Sequence, residues 1–405
     1  MAGLATGPAQ VAIGKNPERS RDHNRRVVLD IVRRHGALGR MQIARLTQLT
    51  AQAVANICED LVSEGLLMEM GRLKAGRGQP PIQFAVNPAG AATVGIEIAT
   101  DQMVTTVLDL TGQVQYKRIR PLSDSTPNKT VPKFLEELER ARSSYSSRLL
   151  GIGVVMPGPF DIDGMSSVGP TTLPGWGGID AASLLQDACG TPVTVENDAT
   201  AAAVAERLFG AGHAISNFCM IYFGGGLGLG MIHDGAPYRG AFGNAGEIGH
   251  VVVVPEGRLC PCGHQGCLER YASLHALHEK FAHAARQIPA YEDVEHLYRQ
   301  GDPLVLDWID EAARYLGPMV AMLENILDPE TVILGGALSD VVIDAIIGRM
   351  DRLPTSVAGR RMRALPRVMR GQTGQYTAAL GAAALPLFDI ITPKLETSLP
   401  ASRLA

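Results

Sequence analysis

The first twenty residues lack the apolar core of a signal peptide, and none of the 405 positions opens a run of eighteen apolar residues. A cytoplasmic chain with no membrane insertion is therefore expected. The most apolar glycine-rich run, Cys219 to Ile232, is too short and too broken to span a bilayer. Cysteine is sparse, with six in all, and Cys58, Cys189 and Cys219 are scattered. That pattern excludes a disulfide framework and fits a reducing compartment. Charge is moderate at 19% of residues against 46% hydrophobic, a balance that buries large cores over two or three domains.

Charge is also unevenly spread. Residues 1–89 hold 12 Lys+Arg against 7 Asp+Glu, or +5, which leaves −9 for the rest of a chain whose net charge is −4. A basic head on an acidic body points to a polyanionic partner for the head. Residues 1–18 are rich in Ala, Gly and Pro without periodicity and read as a flexible tail. From Arg21 the pattern predicts a helix ending near Gly36, then a second over Arg40 to Leu46. A third is capped by Thr50, carries Val54, Ile57 and Leu61 on one face, and ends at Gly65. Strands are expected over Leu66 to Arg72 and Ile82 to Val86, flanking a basic tip with Lys74 and Arg77. This order predicts a winged helix-turn-helix over 19–89. Its third helix would offer Thr50, Gln52 and Asn56, with Glu59 on the same face, to the major groove, while Lys74 and Arg77 reach phosphates or the minor groove.

The densest chemistry lies between Gly243 and Glu269, which read GNAGEIGHVVVVPEGRLCPCGHQGCLE. Cys260, Cys262 and Cys267 fall within eight residues around Gly263 and Gly266, so three sulfurs can converge on one point. Thiolate with imidazole suits tetrahedral zinc. His250 is the preferred fourth ligand and His264 its rival.

GEIGH followed by CxCGxxGCLE resembles the signature of the ROK family, which groups sugar kinases with sugar-responsive transcriptional repressors. The resemblance implies a structural Zn2+ on His250, Cys260, Cys262 and Cys267, and sugar contacts from Glu247, His250 and Glu269. In VENDATAAA, Asn197 and Asp198 match the family's sugar contacts, Asp198 at the place of a catalytic base. LPGW (Leu173 to Trp176) is similar to the family's sugar loop, with Thr172 where an Asn is usual. The head also resembles that of the family's repressors. The implied fold is a winged helix-turn-helix head on a two-lobed α/β, actin-like ATPase body. The small lobe would span 90–195, completed by the helix 376–390. The large, zinc-bearing lobe would span 196–375.

Kinases of the family carry a pattern like DIGGTK in the first hairpin, whose glycines let backbone amides approach phosphate. Here the stretch is Glu97, Ile98, Ala99, Thr100, Asp101 and Gln102. Both glycines have gained side chains, and an aspartate repels phosphate where no cation compensates. The second glycine-rich hairpin, Phe223 to Gly235, keeps glycines, with Gly225 where the family's kinases commonly have Thr. ATP binding is not expected. The expected function is a sugar-responsive, DNA-binding repressor acting on double-stranded operator DNA as a homodimer or homotetramer. The alternative is an ATP-dependent hexose or N-acetylhexosamine kinase carrying a DNA-binding head.

Overall fold

The computed structural model describes residues 17–72, 82–158, 173–350, 353–359 and 362–392. Residues 1–16, the wing tip with Lys74 and Arg77, Thr172 and the positions after 392 lie outside the described residues. The chain divides into two units, one of residues 1–90 with 389–405 and one of residues 91–388.

In the first unit, α1 (Pro17–His35), β1 (Leu38–Gly39), α2 (Arg40–Thr47) and α3 (Ala51–Ser63) precede β2 (Leu67–Arg72) and β3 (Ile82–Val86). Helix α1 starts at Pro17, inside the stretch read as tail, because proline's fixed φ suits a first helical turn. It stops where Gly36 takes φ 75°. Between α2 and α3 the backbone turns through Gln48 at φ 57°, and Thr50 Oγ1 then accepts from Ala53 N at 3.2 Å. That cap fixes the start of α3. The helix lays Val54, Ile57, Cys58 and Leu61 on a core shared with Val28, Val32, Ile43 and Phe84. Strand order is β1-β3-β2, all antiparallel, and the short β1 pairs Leu38 with Phe84.

The second unit opens with the meander β4 (Ala91–Ile98), β5 (Gln102–Asp109) and β6 (Val114–Pro121). Then come α4 (Pro127–Arg142), β7 (Arg148–Met156), α5 (Ala181–Cys189), β8 (Val193–Asn197) and α6 (Asp198–Phe209). A second meander follows, β9 (Phe218–Phe223), β10 (Leu227–His233) and β11 (Ala236–Pro237). Helices α7 (Glu269–Ala272), α8 (Leu274–His283), α9 (Val294–Arg299) and α10 (Pro303–Leu327) lead to β12 (Thr331–Gly336), α11 (Asp340–Gly348), β13 (Val368–Arg370) and α12 (Thr377–Ile391).

The two five-stranded sheets have the same plan. One runs β6-β5-β4-β7-β8 and the other β11-β10-β9-β12-β13. In each, an antiparallel meander occupies one side and two parallel strands the other. This repeat of topology is not visible as a repeat of sequence. Each sheet has its own core, one around Trp176, Phe134 and Ile96, the other around Trp308, Phe281 and Phe223.

The alanine-rich α12 lies directly on the first sheet. A Cβ at Gly95 would stand 2.2 Å from Ala383 N, and one at Gly153 only 1.8 Å from Ala382 O. Neither position tolerates a side chain without displacing backbone. Thr106 Oγ1 also donates to Ala379 O at 2.8 Å. Among the described residues no helix is long and apolar enough to cross a membrane.

Candidate functional site

The cysteine-rich stretch folds into a tight hairpin. Cys260 N donates to His264 O at 2.8 Å and Gly263 N to Cys260 O at 2.9 Å. Gly263 and Gly266 take φ of 94° and 81°. A Cβ at Gly266 would fall 1.6 Å from Val254 O, so only glycine fits that approach. The result gathers one atom each from His250, Cys260, Cys262 and Cys267 within 4.8 Å of one another, a set able to hold a metal ion. His250 Nδ1 lies 3.6 Å from Cys260 Sγ, and Cys262 Sγ 3.7 Å from Cys267 Sγ. His264, the rival ligand, is exposed; its Nδ1 is 3.7 Å from Cys262 Sγ, yet it stands outside the convergent set.

Next to this hairpin the remaining polar candidates meet. Asn197 ends β8 and caps α6, its Oδ1 accepting from Ala199 N (2.9 Å) and Thr200 N (3.3 Å). Only its Nδ2 remains to serve a ligand. Gly158, just past β7, explains why no side chain stands there: a Cβ would meet Asn197 Nδ2 at 2.6 Å and Glu247 Oε1 at 3.4 Å. Asp198 spends Oδ1 on Ala199 N (2.8 Å), while its Oδ2 would lie 3.4 Å from a Cβ at Gly224. Glu269, 7% exposed, opens α7 and accepts from Leu227 N at 3.2 Å. Burial raises the Glu247 carboxyl above the ordinary range, Asp198 and Glu269 add to that, and His250 opposes it. All five sugar-site candidates thus belong to one polar neighbourhood.

A cavity of about 460 Å³ extends from Asp198 and Glu269 to both hairpin turns. The β4–β5 turn closes through Ala99 N donating to Gln102 O at 2.9 Å. Four carboxylates, of Glu97, Asp101, Asp198 and Glu269, line the cavity, and among the described lining residues there is no Lys or Arg. Burial, reinforced by Asp198 and Asp101, pushes the Glu97 carboxyl up to about 8. Asp198 is pushed up to about 6 by burial, with a smaller push from Glu269. Asp101, which the family's kinase pattern lacks, adds an acidic group that repels phosphate at short range.

Sequence reasoning overlooked Tyr222, Tyr291 and His278, which also line this cavity. Tyr291 and His278 stack with ring centroids 5.4 Å apart. Tyr222 sits inside the apolar strand FCMIYF, where its phenol looks like core packing. The only signal was a tyrosine two residues ahead of a glycine-rich turn.

On the first unit, Gln52 and Asn56 are both exposed on α3, and Gln52 Nε2 donates to Asn56 Oδ1 at 2.9 Å. Thr50 is exposed with its hydroxyl engaged as the cap. Glu59 on the same helix pairs with Arg40 at 3.2 Å, which offsets the acid on that face. Lys74 and Arg77 lie outside the described residues.

Comparison with known proteins gives a consistent result. The family model described as "ROK family" matches residues 93–387. A xylose repressor of Bacillus subtilis (strain 168) is 27% identical over 380 residues, covering 91% of this chain and 97% of that protein. The crystal structure of a ROK family transcriptional regulator, a homologue of the E. coli MLC protein, superposes with TM-score 0.73 at 24% identity, over 92% of this chain and 98% of the other, a likeness of fold. A ROK family glucokinase from Streptomyces griseus, solved with glucose and AMPPNP, superposes with TM-score 0.63 at 28% identity, over 73% of this chain and 98% of that one.

Proposed function

This chain belongs to the ROK family, and from that premise we propose that it is a sugar-responsive, DNA-binding transcriptional repressor whose kinase-like body senses the sugar without phosphorylating it. One observation carries the reading. The polar set Asn197, Asp198, Glu247, His250 and Glu269 lies in one neighbourhood, which supports a carbohydrate site, while the adjoining turn is acidic and carries side chains at both glycine positions of the kinase pattern. Carboxylates accept from vicinal hydroxyls, and Asn197 Nδ2 supplies a donor. The full-length relative named a xylose repressor supports the regulatory half of the reading.

Residues 19–89 would act as a winged helix-turn-helix. Helix α3 would present Gln52 and Asn56, amides suited to adenine edges, and Thr50 at its start to operator DNA, with Lys74 and Arg77 of the wing on the backbone. A homodimer would set two heads against half-sites about one helical turn apart, so sugar binding that changes head spacing changes DNA affinity. The small lobe of 90–195 with the helix 376–390, and the large lobe of 196–375, would close on the sugar.

The donor set fits structural Zn2+. With Zn–S near 2.3 Å a tetrahedral ion needs sulfur–sulfur edges of about 3.8 Å, and Cys262 and Cys267 stand 3.7 Å apart. The ion, held by four protein ligands, would supply shape, not an activated water. It would also fix the His250 ring so that its other nitrogen serves the sugar.

The test is a thermal-shift panel of xylose, glucose, N-acetylglucosamine and their phosphates, each stabilising sugar then being titrated into a protein–operator complex. A stabilising sugar that weakens or strengthens DNA binding is expected, with Glu247→Ala losing the sugar shift and keeping DNA affinity. Raised Asp198 is what a catalytic base would show, so an ATP-coupled assay runs beside it. Turnover at ordinary kinase rates, roughly 1–100 s⁻¹, would overturn the proposal.

A further inference from the structure

We infer that the acidic cavity beside the β4–β5 turn is a subsite for a protonated amine, so that the effector is a sugar bearing an ammonium group and its phosphorylated counterpart is excluded. This rests on the reading that a sugar ring occupies the Asn197–Glu247 side.

The first support is charge. Glu97 of β4, Asp101 of the turn, Asp198 of α6 and Glu269 of α7 bring carboxylates from four elements to one space of about 460 Å³, with no described Lys or Arg lining it. A ligand cation removes the mutual repulsion that a phosphate would add to. The second is a phenol at the cavity wall. Tyr222 is 3% exposed and lines the same cavity, and among the described residues its phenol has no hydrogen-bond partner. A phenol that lines the cavity without a protein partner is free to bond an atom of the ligand.

The third support separates an amine from a metal ion. Among the described residues only the His250 set gathers tightly enough to hold a metal. The cavity's carboxylates are spread instead, which suits a group with several diverging donors. An ammonium has three, matching the oxygens of Glu97, Asp198 and Tyr222. Charge-assisted hydrogen bonds of this kind are roughly twice as strong as neutral ones.

Isothermal titration of the full-length protein at pH 8 with glucose, 6-amino-6-deoxyglucose and glucose 6-phosphate tests this, because the three share a ring and differ in one substituent. The amine is expected to bind about tenfold tighter than glucose, and the phosphate more weakly than either. In Glu97→Gln the amine and glucose affinities should converge, and Tyr222→Phe should narrow the same gap. Asp101→Asn, in an exposed turn, is the variant to use if Glu97→Gln does not fold, and it should narrow the gap as well. Equal binding of amine and glucose, tightest binding by the phosphate, or an amine advantage unchanged in every variant overturns the subsite. Failure of all three ligands also overturns it. The regulatory reading itself falls in this panel when xylose and N-acetylglucosamine likewise leave DNA binding unaltered.

Discussion

Two sheets built on one strand order place a hairpin turn at equivalent positions, and the two turns have gone different ways. The turn between β9 and β10 keeps Gly224, Gly225 and Gly226; the one between β4 and β5 holds Ala99, Thr100 and Asp101. Local space explains the difference. A Cβ on Gly226 would lie 2.4 Å from Glu269 Oε2, and one on Gly224 2.9 Å from the Tyr222 ring. Thr100 and Asp101, in contrast, are exposed. Gly224 and Gly226 are thus explained by close packing and are not by themselves a sign of nucleotide binding, whereas a Cβ at Gly225 would meet only Tyr291 Oη at 3.5 Å.

The sharpest way to break this comparison is to fill the crowded turn. Gly226→Val should displace Glu269, cost about 2 kcal/mol or more, and abolish the sugar-induced thermal shift; a variant that keeps both its melting temperature and its sugar response contradicts the packing account. Next comes Glu97→Gln. With its folded carboxyl pushed up to about 8 against an ordinary 4.5, Glu97 stays protonated in the folded chain where the unfolded chain has released its proton. Its contribution to stability is therefore full below about 4.5 and is lost as pH rises through about 8. Between pH 5.5 and 8 the wild type should lose stability relative to Glu97→Gln by on the order of 1 kcal/mol or more, read from denaturant midpoints at each pH; parallel curves would place Glu97 in ordinary solvent.

Rebuilding the first turn is a smaller step. The combination A99G, T100G, D101T and Q102K should raise affinity for a non-hydrolysable ATP analogue by about tenfold, or roughly 1.4 kcal/mol, in a titration. No gain would mean that Glu97 and Asp198 alone keep phosphate out. Smallest of all, Thr100→Gly by itself should shift stability by less than about 0.5 kcal/mol.

Much of the local architecture was legible because punctuation residues sit where the backbone needs them. Gly36 and Gly65 take positive φ after α1 and α3, and Thr50 caps α3 as its position foretold. The metal candidates were legible because sulfur clustering is rare. Other elements were hidden for physical reasons. In α4 the buried side chains include Glu137 beside Phe134 and Ala141, a carboxylate 3.4 Å from both Arg118 and Arg120, which breaks the apolar stripe that announces a helix. Strand β1 is two residues long and exists through pairing with β3, which no local pattern encodes. The duplicated sheet order lies in pairing as well. Tyr222 was missed because an aromatic ring in a buried strand conceals its polar end.

The seating of α12 on Gly95 and Gly153 limits how that helix can respond when the body is stressed. Its backbone rests in two notches left by absent side chains, and a third lies at Gly381, where a Cβ would come 2.1 Å from Ala201 O. Sliding by a single residue, about 1.5 Å along the axis, would carry an alanine methyl into a place only hydrogen can fill. The helix is therefore indexed like a key in its wards. It can tilt or lift away, but it cannot creep, and any rearrangement of the first sheet must carry α12 along as one piece.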